Sequence, residues 1–223
     1  MMKLIVIICI CLSVCLGQQL YVNFQPFVDS GCSGQPTIGV GYSMATDQCL
    51  QFPNGTKSYY FFVDALISGL RIYDNSNGGT GPDCSESYTF TAFKNKTCLT
   101  NVEYDQALDI VTPNALVGIT KVPYVPASPI SIVTSYYNQS ISGGIGDDIC
   151  TKSANLVMLD YILNGTTTTS GTNNQITSIF YCNEQLEPIQ EICVNSECNQ
   201  ISLQVTCQQN PIDPGYFYQT ICS

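Results

Sequence analysis

The groups that could carry chemistry in this 223-residue chain are 13 cysteines and 17 carboxylates, because the chain contains no histidine. Without an imidazole there is no Ser-His-Asp or Cys-His catalytic arrangement and no metal site with a histidine ligand. A cysteine nucleophile would lack its usual base, and Cys193-x4-Cys198 does not have the Cys-x-x-Cys redox spacing. Carboxylate chemistry, ion binding by oxygen atoms and disulfide formation remain.

One aspartate lies in a motif with a catalytic counterpart. Phe27-Val-Asp-Ser-Gly-Cys32 resembles the apolar-Asp-Ser-Gly turn of aspartic proteases, in which two aspartates share one proton. A two-lobed protease needs a second such turn, which the other aspartates do not supply, so we interpret the motif as a β-turn before a disulfide. Paired carboxylates for glycan hydrolysis stay an alternative, with tyrosines such as Tyr136-Tyr137 and Tyr216-Phe217-Tyr218 in place of the missing tryptophan.

Two further segments are rich in oxygen ligands or glycine. Asp74-Asn-Ser-Asn-Gly-Gly-Thr-Gly-Pro-Asp83 departs from the EF-hand pattern at its fifth and twelfth positions, Gly78 and Ser85. A calcium site of another kind stays open there, beside a long hairpin loop closed by Cys84. Gly143-Gly-Ile-Gly-Asp-Asp148 lacks the lysine and the following helix of a phosphate loop and is interpreted as a turn. We predict no catalytic residue, no metal site and no cofactor.

The amino-terminal sequence bears on the role of the cysteines. Residues 1–17 contain one lysine, an apolar run and a small residue before Gln18-Gln19, the layout of a secretory signal peptide. Removal of this segment would take away Cys9, Cys11 and Cys15 and leave an even number of cysteines, which predicts five structural disulfides in a secreted chain. The ten cysteines are Cys32, Cys49, Cys84, Cys98, Cys150, Cys182, Cys193, Cys198, Cys207 and Cys222.

Charge and glycosylation signals favour an extracellular location. A net charge of −10 disfavours nucleic acid and anionic lipid as partners, and we expect no membrane insertion after signal removal. Charged residues make up 11% of the chain, less than half of the roughly 25% usual for soluble domains. Glycans would help to solubilise such a surface, and the chain has four N-glycosylation sequons, at Asn54, Asn95, Asn138 and Asn164.

The local sequence patterns are those of β-strands. Ser87–Lys94 and Ile201–Cys207 alternate between two kinds of side chain, and several other runs are rich in β-branched and aromatic residues. The best helical window, Glu184–Ile192, contains Pro188, and the polar tract Asn164–Asn174 is expected to be an exposed loop. We predict an all-β fold, a disulfide-stapled antiparallel sandwich that forms one large or two small tandem β domains after the signal peptide.

A proline-rich connection at residues 123–130 divides the mature chain. We predict a β domain with four cysteines at 18–122 and one with six at 131–223, each with internal pairing. Within the first, sequence neighbours are expected to pair, Cys32 with Cys49 and Cys84 with Cys98. Cys49-x34-Cys84-x13-Cys98 is similar in spacing to Cys150-x31-Cys182-x10-Cys193, with an aromatic strand before each, so a diverged duplication stays open beside one long sandwich.

These features favour a secreted, non-catalytic glycoprotein that binds an extracellular protein or glycan. The alternatives are a structural coat or matrix protein and a carboxylate-dependent glycan hydrolase. In composition the chain resembles secreted cysteine-rich proteins of free-living amoeboid protists, which implies adhesion or development-linked roles outside the cell. The oligomeric state and the ligand are not predicted.

The disulfide prediction is tested by alkylating the secreted chain without reducing it. We expect no labelled cysteine by mass spectrometry, and ten labelled cysteines after reduction and unfolding. Free thiols in the unreduced mature chain would contradict the disulfide scaffold.

Overall fold

A computed structural model describes residues 19–36, 38–51, 57–64, 67–74, 84–85, 87–100, 114–127, 130–141, 146–170, 175–211 and 215–223. The predicted signal peptide, the sequon at Asn54, most of the Asp74–Asp83 segment and the start of the Gly143–Asp148 segment lie outside the described residues. Within these ranges no helix has the length and apolar character needed to span a membrane.

The described chain is built from sixteen strands, with three short 3-10 helices at Gln139–Ile141, Gly146–Ile149 and Ser153–Asn155, which confirms the predicted all-β class. The strands are β1 Tyr21–Phe27, β2 Val40–Ala45, β3 Cys49–Gln51, β4 Lys57–Val63, β5 Ser68–Asp74, β6 Tyr88–Phe93, β7 Thr97–Thr100, β8 Asn114–Thr120, β9 Ser131–Asn138, β10 Leu156–Leu163, β11 Thr166–Ser170, β12 Ile176–Cys182, β13 Pro188–Val194, β14 Glu197–Ser202, β15 Val205–Gln209 and β16 Tyr216–Cys222.

The strands form three antiparallel sheets. Sheet A has eight strands in the order β15-β16-β9-β10-β2-β1-β8-β7. Sheet B is the meander β3-β4-β5-β6, and sheet C is the meander β11-β12-β13-β14. Strands β2 and β10 pair across the predicted domain boundary, so one sheet continues through both halves of the chain. The division into domains at 123–130 stays a prediction.

The two halves follow the same strand plan. In each half two paired strands of sheet A are followed by a four-stranded meander and then by two further strands of sheet A. The order is β7-β8-β1-β2 in the first half and β15-β16-β9-β10 in the second, so the equivalent strands β2 and β10 meet at the centre. An antiparallel pair of equivalent strands is the arrangement that a local two-fold axis produces. The two halves therefore repeat one strand topology, as a diverged duplication would produce.

Two of the five disulfides occupy equivalent places in this plan. Cys32–Cys98 joins the β1–β2 loop to the edge strand β7, and Cys150–Cys207 joins the β9–β10 connection to the edge strand β15. The spacing comparison matched Cys49 with Cys150 and Cys98 with Cys193, and it is therefore wrong, because Cys32 is the equivalent of Cys150 and Cys98 that of Cys207. It failed because the connections between equivalent strands differ in length, which shifts the cysteine spacing.

The expected pairing of sequence neighbours in the first half is also wrong. Cys49 bonds Cys84, and Cys32 bonds Cys98. The reason is that Cys49 begins a strand of sheet B, whereas Cys32 lies beside the edge of sheet A. All five bonds stay within one half, as predicted; the other two are Cys182–Cys222 and Cys193–Cys198.

The core lies between sheet A and the two meanders. The ring of Phe24 in β1 packs against Phe61 and Phe93 of sheet B, with centroids 5.7 and 6.3 Å apart. Phe180 of sheet C belongs to the same buried cluster, and Cys182–Cys222 ties sheet C to β16. Both meanders therefore cover the same face of sheet A, side by side.

The opposite face of sheet A is covered by the proline-rich connection. The backbone N–H of Tyr124 donates to Asn23 Oδ1 at 3.1 Å, and its ring meets the ring of Tyr161 edge-on at 6.4 Å. Val133, Leu159 and Leu163 complete this second cluster. The central strands are thus buried on both faces, which explains why all six residues of β2 are buried.

Two local predictions need correction, and the rejection of a helix at Glu184–Ile192 is confirmed. The threonine tract does not form a loop from residue 164, because Thr166–Ser170 is strand β11 with Thr166 buried. The run Ile201–Cys207 is interrupted after Ser202, where the chain crosses from sheet C to sheet A. Glu184–Ile192 is a turn followed by the start of β13, since Pro188 begins a strand at the end of a hairpin.

The central pairing is tested by two glycine substitutions in sheet A. In Gly41→Ala the new Cβ would overlap the ring of Tyr161, the cross-strand partner of Gly41, so we expect a loss of about 1–3 kcal/mol in the free energy of unfolding. Gly118→Ala is the matched control, because its nearest atom would lie 3.8 Å away. Equal stability of the two variants by urea unfolding would contradict this packing.

Candidate functional site

Of the residues that the sequence singled out, most of those that the structure describes accept backbone hydrogen bonds in turns or at strand ends. The Asp29 carboxylate is exposed, and its Oδ1 accepts the backbone N–H of Gly31 at 2.9 Å and that of Ser33 at 3.3 Å. Backbone N–H of Cys32 donates to the carbonyl of Asp29 at 3.2 Å, which closes the turn just before the Cys32–Cys98 disulfide. The Asp-Ser-Gly motif therefore forms a β-turn before a disulfide, as interpreted from the sequence.

Three sequons lie in the described residues, each at the end of a strand or in a turn. In each case the side-chain oxygen accepts a backbone N–H: Asn95 from Ile119 at 3.0 Å, Asn138 from Ser140 at 2.9 Å and Asn164 from Cys182 at 3.0 Å. Asn95 and Asn164 are exposed and Asn138 is partly exposed. Glycosylation at these asparagines stays a prediction.

The most distinctive surface is the outer face of sheet B. Alternation along β4, β5 and β6 sends Tyr59, Phe61 and Leu70 into the core, and it leaves a second set of side chains outside. We call this second set the aromatic face; it consists of Tyr60, Phe62, Arg71, Tyr88 and Phe90. Tyr88 and Phe90 are 50% and 49% exposed, an unusual condition for large aromatic residues on adjacent positions of one face.

Arg71 lies at the centre of the aromatic face. Its guanidinium carbon is 5.1 Å from the ring centroids of Phe62 and Tyr88 and 5.8 Å from that of Tyr60. Such contacts contribute about 0.5–1 kcal/mol each at exposed sites, and they hold the cation in a defined place. The positive charge of Arg71 is therefore surrounded by three aromatic rings.

Gly69 shapes the same face. A Cβ at this position would overlap the ring of Phe90, so only glycine lets that ring lie across the neighbouring strand. There Phe90 stacks on Phe62, with centroids 6.0 Å apart and planes 16° apart. The exposed rings are therefore fixed by the strands beneath them.

Sheet C presents an equivalent outer face of different chemistry. The β4–β5 hairpin closes with Val63 opposite Ser68, and the β12–β13 hairpin closes with Cys182 opposite Pro188. Arg71 lies three residues after Ser68 in β5, and Glu191 lies three residues after Pro188 in β13. Arg71 and Glu191 therefore occupy equivalent positions in the two meanders. We call the outer face of sheet C the acidic face; around Glu191 it carries Ile179, Tyr181, Gln200 and the Cys193–Cys198 disulfide.

The charge difference extends beyond this one position. Four of the seven basic residues lie on sheet B or in the turn after β6, namely Lys57, Arg71, Lys94 and Lys96. After Lys152 the sequence contains no basic residue, while Glu184, Glu187, Glu191 and Glu197 all fall in the β12–β14 segment. The meander of sheet B thus carries charges of both signs, since Asp64 and Asp74 lie at the ends of β4 and β5, whereas the β12–β14 segment carries acidic residues only.

The acidic face also contains a cluster of potential metal ligands. Ligand atoms of Glu191, Cys193 and Cys198 lie within 4.8 Å of one another. Because both sulfur atoms are joined in a disulfide, the cluster offers one carboxylate, whose Oε2 already accepts Gln200 Nε2 at 2.9 Å. The donor set does not suit a metal ion.

A partly buried carboxyl lies where the two halves meet. Asp160 in β10 faces Tyr42 in β2, and burial raises the pKa of its carboxyl from 3.8 to about 7. Hydrogen bonds from Thr134 and Tyr136 oppose that rise; the Tyr136 hydroxyl donates to Asp160 Oδ2 at 3.3 Å. Burial and the nearby Asp160 charge together raise the pKa of the Tyr42 hydroxyl. Sequence reasoning did not single out Asp160, although a lone acid inside the apolar run Leu156–Leu163 was a visible signal.

The Asp160 carboxyl predicts a specific pH dependence of stability. Its folded-state pKa lies above its unfolded value, so ionisation opposes folding: the penalty is absent below about pH 4 and complete above about pH 7. We expect the wild-type free energy of unfolding to fall relative to Asp160→Asn between these values, measured by urea unfolding. Asp148→Asn, at an exposed acid, is the control, and a constant difference between wild type and Asp160→Asn would contradict the account.

Comparison with known proteins gives one family match. A family model described as counting factor-associated protein A/B/C matches residues 2–220. No curated protein and no solved structure was found to match. The disulfides and the family match both indicate an extracellular location. Since the matched range covers nearly all of the sequence, the chain belongs to the counting factor-associated protein A/B/C family.

Proposed function

We propose that the chain is a secreted, non-catalytic glycoprotein that works by association with other polypeptides of an extracellular complex. The single observation that carries this proposal is the aromatic face, where Tyr88 and Phe90 are about half exposed around a framed arginine. Aromatic residues and arginine are the side chains most enriched at the energetic centres of protein interfaces. The family description names association with counting factor, and we extend that association to this chain.

The rigidity of the face supports binding without a large ordering cost. Phe90 is held by its stacking on Phe62, and Arg71 is held between rings. The Cys49–Cys84 disulfide fastens the first strand of the same meander to the segment that leads into β6. A preorganised surface loses less side-chain freedom on association, which leaves more of the contact energy for affinity.

The placement of the carboxylates supports a non-catalytic role. Glycan hydrolysis uses two carboxyl groups about 5–10 Å apart on either side of the scissile bond. Asp160 is partly buried, and its pKa is shifted by burial and by hydrogen bonds from Thr134 and Tyr136, with no second carboxylate among these causes. The exposed Asp29 is engaged in its own turn.

The proposal is tested by co-fractionation of the tagged, secreted chain with counting factor components. Phe90→Ser and Tyr88→Ser remove exposed aromatic area from the binding face while leaving the core ring contacts of Phe61 and Phe93 in place. We expect each variant to reduce the affinity at least about tenfold, in the range of interface hot spots.

Val122→Ser is the matched control, because Val122 is 68% exposed and lies outside sheet B. It should co-fractionate as the wild type does. Unchanged association of both aromatic variants would contradict the proposed binding face, provided that their circular dichroism spectra match that of the wild type.

A further inference from the structure

The pair formed by Arg71 and Glu191 points to a particular occupant of the aromatic face. These residues hold the same place in the two repeat units, on the outer side of the central meander strand. The charge at this position is positive in one unit and negative in the other. The strand plan that the two units share therefore does not require either charge. Protein surfaces that bind each other carry complementary charges, and Arg71 and Glu191 give the two meanders such a pair.

Like surfaces would not pair. Two aromatic faces in contact would bring one Arg71 against another, and two acidic faces would bring Glu191 against Glu191. Like-charge contacts in an interface are strongly unfavourable. The favourable combination is one aromatic face with one acidic face, in which the cation meets a carboxylate. Within one molecule the two meanders lie side by side on sheet A, so this combination requires a second molecule.

The apolar groups of the two faces support the same pairing. Phe62, Tyr88 and Phe90 would meet Ile179, Tyr181 and the Cys193–Cys198 disulfide, which are partly or fully exposed on the acidic face. Desolvation by these groups would strengthen the contact between Arg71 and Glu191 at the centre. Arginine suits this position because its guanidinium stacks on rings and still presents donors to a carboxylate.

We propose that two copies of this chain form a closed two-fold dimer in which the aromatic face of each copy packs on the acidic face of the other. Because both meanders lie on one side of sheet A, a two-fold axis parallel to that sheet makes the contact twice. Arg71 of one copy then faces Glu191 of the second, and the reverse contact follows by symmetry. This inference rests on the proposed function and names a second copy as the occupant of the aromatic face; counting factor then associates with the dimer, and Phe90→Ser weakens that association by breaking the dimer.

The test is analytical ultracentrifugation of the purified secreted chain over a range of concentrations. The wild type should approach twice the monomer mass and go no higher. Arg71→Glu and Glu191→Arg should each weaken the dimer about 100-fold or more, since each change places like charges in both contacts. The double variant Arg71→Glu/Glu191→Arg should recover dimerisation to within about tenfold of the wild type, because the charges are complementary again.

Glu184→Arg is the charge-matched control, since Glu184 is exposed and lies in the β12–β13 turn outside the acidic face. It should dimerise as the wild type does. The dimer is overturned by a wild type that stays monomeric, by a mass that grows without limit, or by a double variant that remains as weak as the single ones. Capture of counting factor by a monomeric wild type, lost on Phe90→Ser, would retain the proposed function while rejecting the dimer.

Discussion

The structure depends on the antiparallel pairing of β2 with β10. This pair joins the two repeat units into one sheet, and both strands are buried on the two faces. The pairing requires a glycine at position 41, where the ring of Tyr161 lies across the strand, and it places Asp160 opposite Tyr42 inside the molecule. The meanders, the connection that covers the rear of the sheet and the disulfides are all arranged around this seam.

The repeated topology gives the chain two similar platforms whose outer surfaces differ. The inner sides of both meanders remain apolar, because each must cover half of sheet A. The outer sides are free of that constraint. One has become an aromatic surface around Arg71, and at the matching places the other carries Glu191 and the Cys193–Cys198 disulfide. In the proposed dimer each platform would cover exposed apolar groups of the other copy.

Sequence patterns predicted much of the fold but little of the candidate site. The even cysteine count and the alternating runs predicted disulfides in an all-β fold, and the aromatic strands that begin each half are the equivalent strands β1 and β9. Cysteine pairing could not be predicted, because it depends on which sheet edge each loop reaches; Cys32 bonds Cys98, 66 residues away. Strand β11 could not be predicted from its threonines, because the burial of Thr166 comes from sheet partners such as Phe180.

The aromatic face was hidden in the sequence for a related reason. Tyr60, Arg71 and Phe90 lie on three different strands, and they become neighbours only through the registers of sheet B. The equivalence of Arg71 with Glu191 likewise needs the hairpin ends of both meanders. Asp160 could be seen as a lone acid in an apolar strand, but its raised pKa follows from the packing of the meanders over sheet A.

Two equivalent units share one sheet, and disulfide mapping tests this arrangement most directly. Non-reducing proteolysis with mass spectrometry should recover Cys32 linked to Cys98 and Cys150 linked to Cys207, the two bonds that join each unit's first loop to its edge strand. Recovery of Cys32 linked to Cys49, or of any bond between the first four cysteines and the last six, would contradict the duplicated architecture.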